Sequence, residues 1–233
     1  MKTVHILFVL LGIYGISSAQ DQPVNPNNNN LQAIGVFGAN GNNIGTSSLV
    51  INPPEKVEGS VHLFERWNNT AIFTIPEREK QLFLRNINYN ILRDRLESRI
   101  GKDSIFTFET GRIESVLING RLFRNVYTPS MRASKMYEVI YENEDFAILK
   151  NYYLTIDEGS DNPMVNRPNK YAQHSQYYVK EGSSLKSFNP KKRTILDLVG
   201  SKADAVKEFA NKNDLSYRED RDLHRMLTAV LDN

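Results

Sequence analysis

From Val61 to Tyr127 turn-forming residues interrupt the apolar pattern at roughly every 8–12 positions, a spacing that suits antiparallel strands and leaves little room for helices. Val61–Arg66 reads as a strand, Trp67-Asn68-Asn69 as a turn, and Thr70–Ile75 as the return. Pro76 ends that strand, because proline has no N–H for the ladder. Gln81–Arg85 and Ile87–Arg93 follow. In the second, Ile87, Tyr89 and Ile91 alternate with Asn86, Asn88 and Asn90, which predicts one buried face and one wet face. Arg95–Ile100 and Ser104–Glu109 flank the loop Gly101-Lys102-Asp103. Asn119-Gly120 separates Ile113–Ile118 from Arg121–Tyr127. Both residues tolerate positive φ, so this pair between two apolar runs signals a tight hairpin.

Beyond Pro129 the strands lengthen. Met136–Glu142 and Asp145–Asp157 form a hairpin around Asn143-Glu144. Phe146, Ile148, Tyr152, Leu154 and Ile156 share one face of its second strand, with Lys150 as the exception. Glu158 to Lys170 reads as a polar loop, and Ser175–Glu181 with Ser184–Phe188 as a last hairpin around Gly182. The period then changes. Asn189-Pro190 opens a first helix and Gly200 stops it. Ser201 to Asp204 opens a second helix with Ala203, Val206, Phe209 and Ala210 inward. Ser216-Tyr-Arg-Glu219 is a capping box for a third, in which Leu223, Met226, Leu227, Val230 and Leu231 recur at spacings of three and four. Each is too short to persist alone and must pack on the sheet or on its neighbours. The expected fold is mainly β (α+β). It is an antiparallel β-meander over residues 59–188, forming a curved sheet or open barrel, with two to three short C-terminal helices in residues 189–233.

Residues 1–19 carry Lys2, an apolar run from Ile6 to Ile16, and the small-residue ending Ser17-Ser18-Ala19. These are the three parts of a secretory signal peptide, and the run is too short for a resident membrane helix. Cleavage after Ala19 leaves a mature chain that starts at Gln20, with no further transmembrane segment. Residues 20–58 are rich in Asn, Gly and Pro and read as a tether. A short strand is possible at Ser48–Asn52, and the run Ala33 to Phe37 could dock on a sheet edge.

The chain contains no cysteine. That excludes a disulfide framework, a thiolate nucleophile and cysteine-ligated metal. Set beside a signal peptide it favours a bacterial envelope, since a eukaryotic secreted domain of this size usually carries disulfides. The sequon at Asn68-Asn69-Thr70 is then incidental. A formal net charge of +2 argues against a dedicated nucleic-acid binder. The expected location is exported, periplasmic or extracellular.

The segments Val61-His-Leu-Phe-Glu-Arg-Trp67, Asn86-Ile-Asn-Tyr-Asn90, Asp94-Arg-Leu-Glu97 and Asp103-Ser-Ile-Phe-Thr-Phe-Glu109, followed by a helical tail, resemble a loose group of exported, strand-rich proteins of the Bacteroidota. The resemblance covers about residues 59–231. It implies export and a β-meander, and it carries over no activity and no functional residue. Asp103-Ser104-Ile105 is similar to the Asp-Ser/Thr-apolar acceptor pattern for O-glycosylation in that phylum, which makes Ser104 a candidate.

No catalytic constellation stands out. His62, His174 and His224 form no pair at metal spacing, and no Gly-x-Ser-x-Gly or His-Glu-x-x-His is present. Asp94 and Glu97 point to opposite faces of a strand and are expected in solvent-facing pairs with Arg93, Arg95 and Arg99. Asp157, Glu158 and Asp161 surround Gly159 with oxygen ligands of the kind calcium takes, although a solvated turn needs the same residues. Lys191, Lys192 and Arg193, with Lys186, form a basic cluster that is either a solvated patch or a contact for an anionic surface. Tyr152-Tyr153 and Tyr177-Tyr178 put one ring of each pair on each face of the sheet, for core packing or for a partner or glycan platform.

The reading that follows is an exported, non-enzymatic cell-envelope protein with a binding or structural accessory role. Its partner is an envelope protein, glycan or lipid, with no nucleic acid and no cofactor. Two alternatives stand beside it. One is a periplasmic carrier of an apolar ligand held between sheet and helices. The other is a hydrolase without a sequence signature.

Overall fold

A computed structural model describes residues 34, 44–49, 57–76, 81–101, 104–160 and 167–232. The expected signal peptide, Asp103 and Asp161 lie outside them. Twelve strands occur among the described residues: β1 (Gly45–Leu49), β2 (Val57–Glu58), β3 (Asn69–Thr74), β4 (Leu82–Asn90), β5 (Arg95–Arg99), β6 (Ser104–Phe108), β7 (Ser115–Ile118), β8 (Arg121–Thr128), β9 (Ala133–Glu142), β10 (Ala147–Asp157), β11 (Asn169–Glu181) and β12 (Ser184–Phe188). The helices are α1 (Lys192–Val199), α2 (Ala203–Lys212) and α3 (Asp220–Leu231). The fold is mainly β with a C-terminal helical region, as the periodicity predicts.

The strands form one sheet in the order β1-β6-β5-β4-β3-β7-β8-β9-β10-β11-β12, and it does not close into a barrel. The pairs along this path are antiparallel, while β2 joins β11 in parallel. The meander runs in two blocks. β3 to β6 follow one another, then the chain returns through a 3-10 turn at Thr110–Arg112 and lays β7 on the free side of β3. Asn119 and Gly120 take φ of +49° and +82° at the β7–β8 turn, as an Asn-Gly hairpin requires.

Two stretches expected to be separate strands, at residues 81–85 and 87–93, are one strand. Asn86 lies between them with φ +55°, opposite a register shift at Asn69/Thr70. It is the extra residue of a bulge, a position that asparagine tolerates. The expected tether contributes to the sheet through β1, three residues earlier than the strand expected there, and through β2. Ile34 and Ile44 are buried in the core.

The predicted wet face of β4 is a correction. Asn88 and Asn90 are as buried as Ile87 and Tyr89. The cause is the segment 61–67, whose residues 61–66 were expected to be a strand and which is instead a strap carrying a single bridge, His62 to Asn90. It lies beside β4 where β3 has ended, with Leu63 N–H on the Tyr89 carbonyl and Ile91 N–H on the Val61 carbonyl. The Asn88 amide bonds both the N–H and the carbonyl of Phe64. A buried asparagine is satisfied here by replacing a strand's hydrogen bonds.

Two cores result. One lies inside the curve of the first block and includes Phe73, Leu84, Tyr89, Phe108 and Phe123. Tyr89 and Phe123 come from strands that are not neighbours and meet at 6.2 Å, which is possible only because the sheet curls. The other lies between the sheet and the helices. Ile195, Val206, Met226 and Leu227 are fully buried against Ile140, Tyr141, Ile148 and Val179, and they fill that space. The helix starts differ from expectation. α1 is capped at Lys191, whose N–H donates to Thr194 Oγ1. α3 begins at Asp220, and Asp222 rather than Glu219 reaches back to accept the Ser216 N–H at 2.9 Å.

Candidate functional site

The β8–β9 ladder stops at Leu122↔Val139, because β8 begins at the Gly120 turn while β9 runs on through Ile140, Tyr141 and Glu142. A β-bulge falls at this point. Leu149 pairs with Val139 and Ile148 with Tyr141, so Ile140 is the extra residue. The bulge turns both Ile140 and Tyr141 toward the helices. It also frees the Ile140 carbonyl, which accepts the Nδ1–H of His224 on α3 at 2.9 Å.

Between the forked strands and α3 lies a cleft of about 650 Å³. Leu117, Leu122, Val139 and Ile140 give it an apolar lining, and Arg121, Glu138, Glu142, Asp220 and Arg221 bring charge to its wall beside the His224 imidazole. The size falls in the range of small-molecule sites, roughly 300–1,000 Å³.

The charges beside the cleft are organised. Glu138 takes Arg121 Nε and Nη2 at 2.7 and 2.6 Å, a bidentate pair, and also the Tyr152 hydroxyl at 2.5 Å. Phe64, Phe123 and Tyr152 ring the same guanidinium at 5.2–5.5 Å. Asp220 accepts Lys150 Nζ at 2.5 Å and the Tyr177 hydroxyl at 2.8 Å. Arg124 pairs with Glu142. Burial pushes the Tyr152 hydroxyl far up, and the Glu138 carboxylate pushes it the same way. Burial lowers Lys150, yet its bonds with Asp220 and Tyr177 outweigh that and hold it above the ordinary lysine value. The carboxylates of Glu138, Glu142 and Asp220 are each engaged by a cation, while Arg124 Nε is buried without a partner among the described residues.

The residues singled out in the sequence are dispersed. Tyr152 and Tyr177 belong to the network above. Tyr178 is half-buried on the opposite face, edge-on to Tyr137 at 5.6 Å. Tyr153 is 45% exposed and stacks on His174 at 5.3 Å. The four tyrosines therefore do not make one platform. Lys191, Lys192 and Arg193 are exposed and stand outside the cleft wall. Arg193 pairs loosely with Asp197 at 3.8 Å, and Lys192 lies over the Tyr217 ring. Asp157 and Glu158 share a cleft of about 470 Å³ with Glu58, Arg167 and Lys170. Among the described residues no three His, Cys, Asp or Glu side chains gather to hold a metal. Ser104 is half-buried at the start of β6, opposite Leu49.

Asp94 and Glu97 are a second correction. Glu97 is 2% exposed and accepts His62 Nε2–H at 2.8 Å and Asn90 Nδ2–H at 3.0 Å. Asp94 turns the chain at φ +52° and accepts the Tyr89 hydroxyl and the Met136 N–H. The strap shuts Glu97 away from solvent, so alternation along β5 alone misplaces it.

Sequence reasoning missed Arg121, Glu138 and Asp220, and named His224 only as a histidine without a metal-spaced partner. One signal pointed to Asp220. Lys150 interrupts an otherwise apolar stripe, and an ammonium on an inward face requires a carboxylate partner. Among the described residues no helix is long and apolar enough to cross a membrane. Compared with protein-family models, with curated proteins and with solved structures, the chain matches none.

Proposed function

We propose that this chain is an exported, non-enzymatic protein of the cell envelope that binds a ligand or partner in the cleft between β8, β9 and α3. The observation that carries the binding role is the cleft itself. It has an apolar lining on a rigid sheet, and its bordering acids are held in ion pairs rather than poised for proton transfer. Export rests on the Lys2, apolar-run and Ser17-Ser18-Ala19 pattern.

A photo-crosslinking amino acid in place of Leu117, an exposed residue of the cleft, tests the binding role in envelope fractions of the native host. The same substitution at Phe83, exposed on β4 outside the cleft wall, is the control. An adduct at position 117 and none at 83 is expected. No adduct at 117, or equal labelling at both, overturns the reading.

A further inference from the structure

We infer that the ligand of this cleft is an anionic amphiphile, a carboxylate or phosphate head on an aliphatic body. The inference rests on the binding role proposed above and names its substrate class.

The acids come first. Glu138 is bound by Arg121 and Tyr152, Glu142 by Arg124, and Asp220 by Lys150 and Tyr177. A cationic ligand would have to displace one of these partners. Breaking the partly buried pair at Glu138 or at Asp220 leaves a charge without its counterpart and is costly, whereas the Arg124–Glu142 pair is exposed and holds Glu142 more weakly. The cations differ. Arg221 is exposed in the cleft wall and has no ion pair among the described residues. His224 holds the Ile140 carbonyl through Nδ1–H, so its ring is fixed, and Nε2 has no partner among the described residues. The unspent donor capacity of the wall is thus centred on Arg221.

The lining supplies the other half of the ligand. Leu117 is 37% exposed, and Leu122 and Val139 beside it are half-buried. They are branched aliphatic side chains without an aromatic face, which suits a hydrocarbon body better than a sugar ring. The one phenol in the lining, Tyr141, is buried, with its ring against Phe146 at 5.6 Å and its hydroxyl committed to Asp232 at 2.6 Å.

The test measures binding to the whole chain by titration calorimetry, below micelle-forming concentrations. The probes are dodecanoate, dodecyl phosphate, dodecanol and dodecyltrimethylammonium. An anionic probe should bind with one site per chain, at least about tenfold tighter than dodecanol, as a charge-assisted hydrogen bond allows. The cationic probe should bind weakest. Whichever of dodecanoate and dodecyl phosphate binds more tightly identifies the head group. Arg221→Glu should weaken the anionic probe by about tenfold and leave dodecanol unchanged, and because Arg221 is exposed the variant should melt as the parent does. Equal binding of dodecanol, tighter binding of the cation, or indifference to Arg221→Glu overturns the inference. Failure of all four probes with a crosslink at Leu117 overturns the ligand class and leaves the binding role standing. Failure of both removes the two together.

Discussion

Lys150 on β10 and Asp220 at the first turn of α3 meet at 2.5 Å, and this pair ties the helical layer to the sheet. Tyr177 shares the same carboxylate at 2.8 Å. Asp220→Ala should therefore lower stability by about 1–3 kcal/mol, because it leaves a largely buried ammonium and a phenol without their acceptor. Lys150→Met should cost less, since it removes the charge along with the bond. Urea unfolding of the two variants checks the order. Lys150→Met as the more damaging change would mean that the pair does not carry this contact.

Alkaline pH should unfold the protein earlier than neutral heating suggests. Burial, and then the Asp94 carboxylate, push the Tyr89 phenol far above its ordinary value, and burial with Glu138 does so for Tyr152. Lys150 is also raised. In each case the unfolded chain releases its proton first as pH rises, so the folded chain binds more protons. Stability is then fully present below about pH 10 and falls as pH climbs from there toward the folded values. Each such tyrosine contributes a slope of up to about 1.4 kcal/mol per pH unit in that window. Melting curves across it, with tyrosinate absorbance in parallel, should show phenols ionising together with unfolding. Tyr152→Phe should flatten the slope. Stability that does not change across the window would contradict this account.

The strap over β4 makes its own prediction. Glu97 is buried with two donors, and His62 is one of them. His62→Ala should cost about 3 kcal/mol, the usual consequence of taking a partner from a buried charge. Glu97→Gln should be milder, because a neutral amide tolerates the same pocket with a single partner. Trypsin offers an independent readout. Arg66 is exposed on the strap, and cleavage there should accelerate in His62→Ala, where the strap is held less firmly. A strap equally resistant in both proteins would place its anchor elsewhere, in the Asn88 contacts with Phe64.

What could be read from the sequence was local. Asn119-Gly120 specifies its hairpin because the two positive φ angles are a property of those residues alone. The helical faces were legible for a similar reason, since Val206 and Ala210, or Leu223, Met226 and Leu227, share a stripe in any straight helix. The return of β7 to β3 was not legible, because nothing in residues 110–118 says which free edge the chain will meet. Glu97 and Asn88 were misjudged for the same reason. Their burial is conferred by residues 61–67, more than twenty positions away, and an alternating strand cannot register a cover laid over its polar side. Lys150 lies between these cases. Its oddity was visible in the stripe, while its partner at position 220 became visible only once α3 was docked.

Ile140 carries the last prediction. As the extra residue of the β9 bulge it is placed on the helix side together with Tyr141, and its carbonyl holds His224. Deleting it should make the ladder regular without moving the register on either side. Leu122↔Val139 and Ile148↔Tyr141 would both survive, because the deletion removes a residue that has no partner on β10. The loss should fall on the helices. A buried isoleucine and the anchor of His224 disappear together, for about 2–5 kcal/mol, comparable with a large-to-small change in a core. Ile140→Ala keeps the bulge and the carbonyl and should cost less than the deletion. Circular dichroism should retain the strand signal in both variants, and amide exchange should accelerate in α3 before it does in β9. If the deletion instead abolishes cooperative folding, the bulge is needed to set the twist of β9, and the docking of α3 is its consequence rather than its purpose.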